Sequence, residues 1–314
     1  MSLPHIALVG ATGTLGRSIF KALVSASFPL TILTRAGGRS KIPLPPDSDA
    51  TVQVKEVDYA SHRSLVEALS GADVVVSALG SQDLFAAQKS LIDASVEAGV
   101  QRFLPSEYGN GANGKVRRFP LLWADKDKTQ RYLERRASAH PEFTYSIINT
   151  GSFFDWQLEL GLIVNLKEHT ATVYDGGDVP NSVTTLDTIA KAVVAVITHP
   201  EETRNRHVFV HDAAVTQNQL MRIATKIDGE AGWDTTPMAT ADVEERSHKA
   251  VEEGDYTTAM LGFIARACWG PGFGQDFGGK LDNDLLGLPV MKEEDVEALM
   301  RGVMAKIRTP SRDS

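Results

Sequence analysis

The sequence predicts an α/β fold, a doubly wound parallel sheet with a smaller α+β cap, and three observations carry that prediction. The apolar run Ile6-Ala7-Leu8-Val9 enters Gly10-Ala11-Thr12-Gly13-Thr14-Leu15-Gly16 directly, a G-x-x-G-x-x-G turn from strand to helix. Asp73-Val74-Val75-Val76-Ser77-Ala78 is nearly all apolar, as a strand covered on both faces of a parallel sheet must be. Around these, strand-like and helix-like stretches alternate up to residue 150, the order that right-handed crossovers fold into a layered domain.

After the glycine turn, Ser18 to Ser27 places Ile19, Phe20, Leu23 and Val24 on one helical face. Leu30 to Thr34 is the second strand and runs into Arg35. Gly37 to Asp49, rich in Gly and Pro, reads as a loop, and Thr51 to Val54, followed by Asp58, reads as a third strand reaching the ligand side. Ser64 to Leu69 is helical, and Phe85 to Ala98 is a helix stopped by Gly99. Arg102-Phe103-Leu104-Pro105 forms a short strand, Asp125 to Ala139 a helix and Thr144 to Ile148 a sixth strand. Beyond residue 150 the regularity weakens, although Thr188 to Thr198 reads as a helix and His207 to Val210 as a strand returning to the sheet.

A strand ending in small residues lets the backbone approach a pyrophosphate, while the amides and positive pole of the next helix face the anion. In dinucleotide folds an acid roughly 20 residues further on holds the ribose 2′-hydroxyl, whereas an arginine there accommodates a 2′-phosphate. Here Arg35 ends the second strand, no acid occurs before Asp47, and Arg39 and Lys41 add two more cations. The cofactor expected is NADPH (NADP+). Residues 1–150 with 181–212 are thus expected to form an NADP-binding Rossmann domain, and residues 151–180 with 213–314 a substrate-binding cap.

Composition narrows the partners. A net charge of −8, with the basic run from Arg131 to Arg136 interrupted by Tyr132, Leu133 and Glu134, argues against a nucleic-acid footprint. Cys268 is the single cysteine, so one chain builds neither a disulfide framework nor a cysteine-based metal site, and no metal is expected. No apolar run reaches the roughly 18 residues a membrane span needs, and the first apolar run is committed to the glycine turn rather than to a signal peptide. A cytoplasmic protein is expected, with a homodimer left open. His207 and His211 lie four apart, but on a strand that spacing does not make a metal pair, and they read as ordinary strand histidines.

Ligands of open α/β sheets bind beyond the carboxyl ends of the strands, where the loop Pro105-Ser106-Glu107-Tyr108-Gly109 falls. The following helix carries Lys126 and Lys128, and no Tyr stands four residues before either. The Tyr-x-x-x-Lys pair of ordinary short-chain dehydrogenases is absent. A lysine on this helix can still hydrogen-bond a ribose or carry a proton. Glu107 reads as orienting its loop rather than reacting.

On Gly10 to Gly16, Arg35, Gln88 and above all the octapeptide Arg102-Phe103-Leu104-Pro105-Ser106-Glu107-Tyr108-Gly109, the chain resembles the isoflavone reductase and phenylcoumaran benzylic ether reductase family, which overlaps with the NmrA-like atypical short-chain dehydrogenases. Lys128, seventeen residues before Tyr145, together with Phe143-Thr144-Tyr145 and Asn149, matches the family's lysine helix and the strand after it. The resemblance spans residues 5 to 212 and loosens thereafter. It implies that Gly10, Thr12, Gly13, Thr14, Leu15 and Gly16 cradle NADPH, with Arg35 and Lys41 at the 2′-phosphate. Ser77, Ala78, Leu79, Gln88 and Lys128 would complete that site, and Asn149, Gly151, Ser152 and Phe153 would lie near the nicotinamide. Lys128 is the expected proton donor or acceptor, with Lys126 its rival.

Tyr108, Phe153, Phe154, Trp269 and Phe273 are expected to line the substrate pocket, the last two from a Gly-rich loop running from Trp269 to Phe277. Tyr108 replaces the family's usual Phe, the loop from Asn110 to Arg118 is Gly-rich and basic, and the cap differs from the plant enzymes, so plant phenylpropanoid substrates do not carry over. The expected function is NADPH-dependent reduction of a small aromatic or polyketide-like metabolite. The alternative is an NmrA-like regulator that senses NADP(H) and binds a protein partner. Retention of a lysine in register favours the enzyme.

Overall fold

The computed structural model describes residues 3–42, 44, 52–80, 83–110, 114–229, 232–273 and 275–308, with Lys41 and Leu122 described by backbone alone. In chain order the elements are β1 (Ile6–Val9), α1 (Thr14–Ser25), β2 (Leu30–Thr34), β3 (Val52–Glu56), α2 (His62–Leu69), β4 (Val74–Ser77), α3 (Leu84–Glu97), β5 (Arg102–Leu104), α4 (Leu122–Ala139) and β6 (Thr144–Asn149). There follow β7 (Ser152–Phe153), α5 (Phe154–Glu159), β8 (Thr170–Tyr174), β9 (Asn181–Thr184), α6 (Leu186–Thr198) and β10 (Arg206–Phe209). The chain ends with β11 (Ala213–Val215), α7 (Gln217–Asp228), β12 (Asp234–Met238), α8 (Thr240–Glu252), α9 (Tyr256–Trp269) and α10 (Glu293–Arg308). Two compact units result: Met1–Gly111, Pro120–Asn149 and Ile189–Val208 form one, and Ala112–Phe119, Thr150–Thr188 and Phe209–Ser314 the other.

The first unit is built on a seven-stranded sheet in the order β10-β6-β5-β4-β1-β2-β3, and every pair from β3 to β6 runs parallel. β1, β4 and β6 are buried at every position, and β1 and the first three residues of β4 accordingly read as apolar runs. Helices α1 to α4 cover the sheet through apolar stripes such as Ile19, Phe20 and Leu23 of α1. One core cluster joins Val75, Leu91, Phe103, Leu133 and Ile147. The strand order reverses between β1 and β4, where Val9 and Ser77 are register partners, and the crevice for a ligand opens beyond those two ends.

Arg102, the first residue of the octapeptide, turns out to be a clamp. Its guanidinium is buried and donates to Thr144 Oγ1 (2.7 Å), Ser146 Oγ (3.1 Å), Thr203 Oγ1 (3.1 Å) and the Pro200 carbonyl (2.5 Å). It thereby ties β5 to β6 and to the connection that follows α6. Burial lowers its pKa.

In the second unit a three-stranded sheet, β11-β9-β7, and a parallel pair, β12-β8, pack with α5, α7 and α10 around Leu158, Val183, Leu220 and Met300. α7 is capped at both ends: Thr216 accepts from the Gln219 amide, and Gly229 takes the left-handed conformation at φ 72°. Trp269 is the last residue of α9, not a loop residue as expected, and its indole belongs to this core. Among the described residues no helix is long and apolar enough to cross a membrane.

Candidate functional site

A cleft of about 640 Å³ lies at the carboxyl ends of β1, β2 and β4, bounded by Gly10 to Gly13, Arg35 to Gly38, Tyr59 and Ala78 to Gly80. Thr12, Ala78 and Leu79 line it as expected of a dinucleotide site, while Leu15 and Gly16 are buried in the first turn of α1 behind it. Gly13 caps α1 with no side chain on the helix's first amides, and no acid stands in that first turn, so the positive pole is left for an anion. Ser77, at the end of β4 just before the cleft-lining Ala78, is wholly buried and its Oγ has no hydrogen-bond partner. These features fit a dinucleotide pyrophosphate.

The three glycines have different tasks. Gly10 sits at φ 88°, and a Cβ there would come within 2.5 Å of the Ala78 carbonyl. A Cβ on Gly16 would overlap the Gly10 carbonyl itself, whereas one on Gly13 meets only that carbonyl at 3.5 Å, an ordinary contact. Gly16→Ala is therefore expected to unfold the first unit or lower its melting temperature sharply. Gly13→Ala should melt near wild type yet bind NADPH at least tenfold more weakly, because its methyl occupies the pyrophosphate's approach. Calorimetry and a fluorescence titration would check both, and a Gly13→Ala variant with wild-type affinity would remove the glycine turn from the site.

Arg35 is exposed at the mouth of the cleft, with no carboxylate partner among the described residues. It opens a tight turn in which the Gly38 amide donates to the Arg35 carbonyl at 2.8 Å and Gly37 takes φ 74°, the geometry of a type II turn. Lys41 ends the 3-10 turn Arg39–Lys41, and its side chain is outside the described residues. Tyr59, which the sequence reading did not single out, also lines the cleft; its hydroxyl donates to the Leu33 carbonyl at 3.3 Å. Burial pushes that phenol up to about 12, against the opposing pull of Arg35. The signal for it was its place just after Asp58, at the ligand end of the third strand.

The octapeptide loop is held from two sides. Gln88, fully buried on α3, accepts from the Ser106 amide at 2.7 Å and donates to Thr129 Oγ1 at 3.5 Å, and the Ser106 hydroxyl donates to the Leu79 carbonyl at 2.7 Å. Gln88 thus positions the loop next to the cleft and does not itself line the cleft. The two lysines of α4 part company here. Lys126 is buried, donates to the Glu107 carbonyl, and stands 3.8 Å from the Glu107 carboxylate. Lys128 is more than half exposed, paired with Asp125 Oδ1 at 3.2 Å and lying over the Phe85 ring. Glu107 and Tyr108 are themselves buried, and one Glu107 oxygen and the Tyr108 hydroxyl lack hydrogen-bond partners. Burial raises the Tyr108 pKa well above the usual phenol range, so the side chain is a neutral donor.

Asn149 ends β6 fully buried; its amide nitrogen reaches the Ile147 carbonyl and His207 Nδ1, each at 3.1 Å, and its Oδ1 is unpartnered. In the second unit Gly151 takes φ 64° against the Ser182 carbonyl. Ser152 Oγ accepts from Asn181 Nδ2 at 2.9 Å and meets Cys268 Sγ at 3.4 Å, and Phe153 stands edge-on to Trp156 at 6.4 Å. The pocket roles expected of Phe154 and Trp269 are corrected, since both are buried in the apolar core of that unit. Phe273 is also buried: it stacks on Phe119 at 5.7 Å with Arg266 4.7 Å over its ring. His211 lies beside Ser182 Oγ at 2.9 Å, with its pKa lowered by burial, and among the described residues no group of His, Cys, Asp and Glu could hold a metal ion.

Comparison with known proteins agrees with this architecture. Residues 4–232 match the model of the NmrA-like family. Oxidoreductase aprR of Aspergillus flavus is 33% identical over 305 residues, covering 93% of this chain and 97% of that protein. Phenylcoumaran benzylic ether reductase PT1 of Pinus taeda is 33% identical over 191 residues, 56% of this chain and 59% of its own. The solved structure of AtPrR2 with NADP+ and (+)pinoresinol superposes with a TM-score of 0.75 at 22% identity, covering 96% of this chain and 99% of that one. With a seven-stranded sheet, a glycine cradle at its switch point and a family model matched over most of its length, the chain belongs to the NmrA-like family, as its likeness to the isoflavone reductases implied.

Proposed function

We propose that the protein is an NADPH-dependent oxidoreductase that reduces a small aromatic or polyketide-like molecule. The observation that carries this reading is the cleft itself, in which an uncapped helix terminus and a glycine cradle open toward Arg35, with no acid among the described residues that line it. The names of relatives support it: oxidoreductase aprR matches nearly end to end, and AtPrR2 was solved with NADP+ beside an aromatic ligand.

In this reading Gly10 to Gly13 hold the pyrophosphate, Arg35 and Lys41 face the 2′-phosphate, Ala78 and Leu79 line the floor, and Ser77 stands behind them. NADPH, when bound, supplies a hydride for an electrophilic carbon. The protein supplies position and a proton. Lys126 fits that proton role better than Lys128, because its ammonium is buried at the octapeptide and keeps hydrogens beyond the one on the Glu107 carbonyl. Gln88 and Glu107 fix the loop on which it rests. The first unit is then the cofactor-binding domain, and the second, apart from Ala112–Phe119, the substrate cap.

NADPH consumption should be followed with a panel of aromatic enones, quinones and benzylic ethers, alongside binding of NADPH and NADH. Turnover of at least one class, with NADPH bound more tightly than NADH, is expected. Equal affinity for NADP+ and NADPH, no turnover and a co-purifying protein would replace the enzyme by a redox sensor.

A further inference from the structure

Glu56 is the last residue of β3 and the register partner of Thr34, the residue just before Arg35. Its carboxylate Oε1 accepts the Gly37 amide at 3.0 Å. In a type II turn the third residue's N–H takes no part in the turn's own hydrogen bond, so the Gly37 amide is open to a partner outside it. Glu56 provides that partner from the adjacent strand. A second brace runs alongside, from the Arg39 guanidinium to the Val54 carbonyl at 3.4 Å. Gly38 completes the fit, since a Cβ there would overlap Thr34 Oγ1 and approach the Arg35 carbonyl within 2.8 Å.

Two features make this arrangement more than an ordinary loop contact. Gly37 and Gly38 line the cleft while Glu56 does not, so the carboxylate grips the turn from outside the ligand's space. Arg39 reaches back to β3 through its brace, and Arg35, exposed at the start of the turn and lining the cleft, is the cation whose direction depends on the turn. Gly37, at φ 74°, has broad conformational freedom, and an unbraced turn would let the Arg35 guanidinium wander.

We propose that Glu56 is a positioning residue for coenzyme choice: by holding the Gly37 amide it keeps Arg35 where a dinucleotide 2′-phosphate is read. The inference rests on the NADPH reading of the cleft. Glu56 acts through its acceptor oxygen and not through its charge, because a carboxylate's charge close to a 2′-phosphate opposes binding. The two contributions separate by substitution. Glu56→Gln keeps an acceptor and loses the charge, whereas Glu56→Ala loses both.

Dissociation constants for NADPH and NADH, measured by fluorescence titration on the full-length protein without substrate, test this directly. Glu56→Ala is expected to weaken NADPH about fivefold, the size of one hydrogen bond to a charged group at an exposed site, and to leave NADH unchanged. Glu56→Gln should bind NADPH as tightly as wild type or more tightly. An unchanged NADPH-to-NADH ratio in Glu56→Ala, an equal loss for both coenzymes, or a Glu56→Gln variant as weak as Glu56→Ala would each overturn the proposal. A wild-type protein that does not prefer NADPH would instead overturn the reading beneath it.

Discussion

Lys126→Met is expected to lower turnover by about 10²- to 10⁴-fold, the range for loss of a positioned proton carrier, while Lys128→Met leaves it within a few-fold of wild type. Lys126 is buried with its ammonium on the Glu107 carbonyl, where methionine replaces most of its stem volume but none of its hydrogens. Lys128 spends its charge on Asp125 at 3.2 Å in largely exposed surroundings, so its removal costs little. Steady-state rates with whichever panel compound is reduced, together with NADPH affinity as a check on folding, would decide the matter. Equal losses in the two variants, or an active Lys126→Met, would sink the assignment.

The second large effect concerns stability. Arg102→Met should destabilise the protein by about 3 kcal/mol or more, read from urea unfolding, because it strands the acceptors that the guanidinium now satisfies together. Three of these are hydroxyls that can turn to other partners, but the Pro200 carbonyl cannot. Arg102→Lys should recover only part of the loss, since one ammonium does not reproduce a planar fork reaching four oxygens. NADPH affinity of the folded protein should stay near wild type, as Arg102 lies at the opposite end of β5 from the cleft. A shift below about 1 kcal/mol for Arg102→Met would mean that the clamp is loose.

These two residues also show what the sequence could reveal. The octapeptide was recognisable as a unit, yet its first residue ties the sheet together and its later ones form the loop held by Gln88 and Lys126, a division set by which end of β5 each occupies. Lys126 and Lys128 are two positions apart on a helix and so point about 200° apart around it. Counting residues back from Tyr145 measures distance along the chain and carries no information about that phase, whereas the burial of Lys126 does. β1 and β4 were legible because strands covered on both faces are apolar almost throughout. β8 and β12 escaped because neither is fully buried: four of the five β12 residues are exposed, and Pro237 sits in a two-stranded ribbon where a missing donor is tolerated. Trp269 was misread because the Gly and Pro after it suggested a loop that begins one residue later.

The chain passes between its two units at residues 111–112, 119–120, 149–150, 188–189 and 208–209. Neither unit is thus a continuous length of polypeptide, and no single cut releases either one whole. On the ribosome the seven-stranded sheet must wait for β10, by which time two segments of the other unit have already been made and its longest one is still to come. For the evolution of such a chain this matters: neither unit can be exchanged as a cassette, and change has to arise residue by residue on a frame whose halves are inherited together.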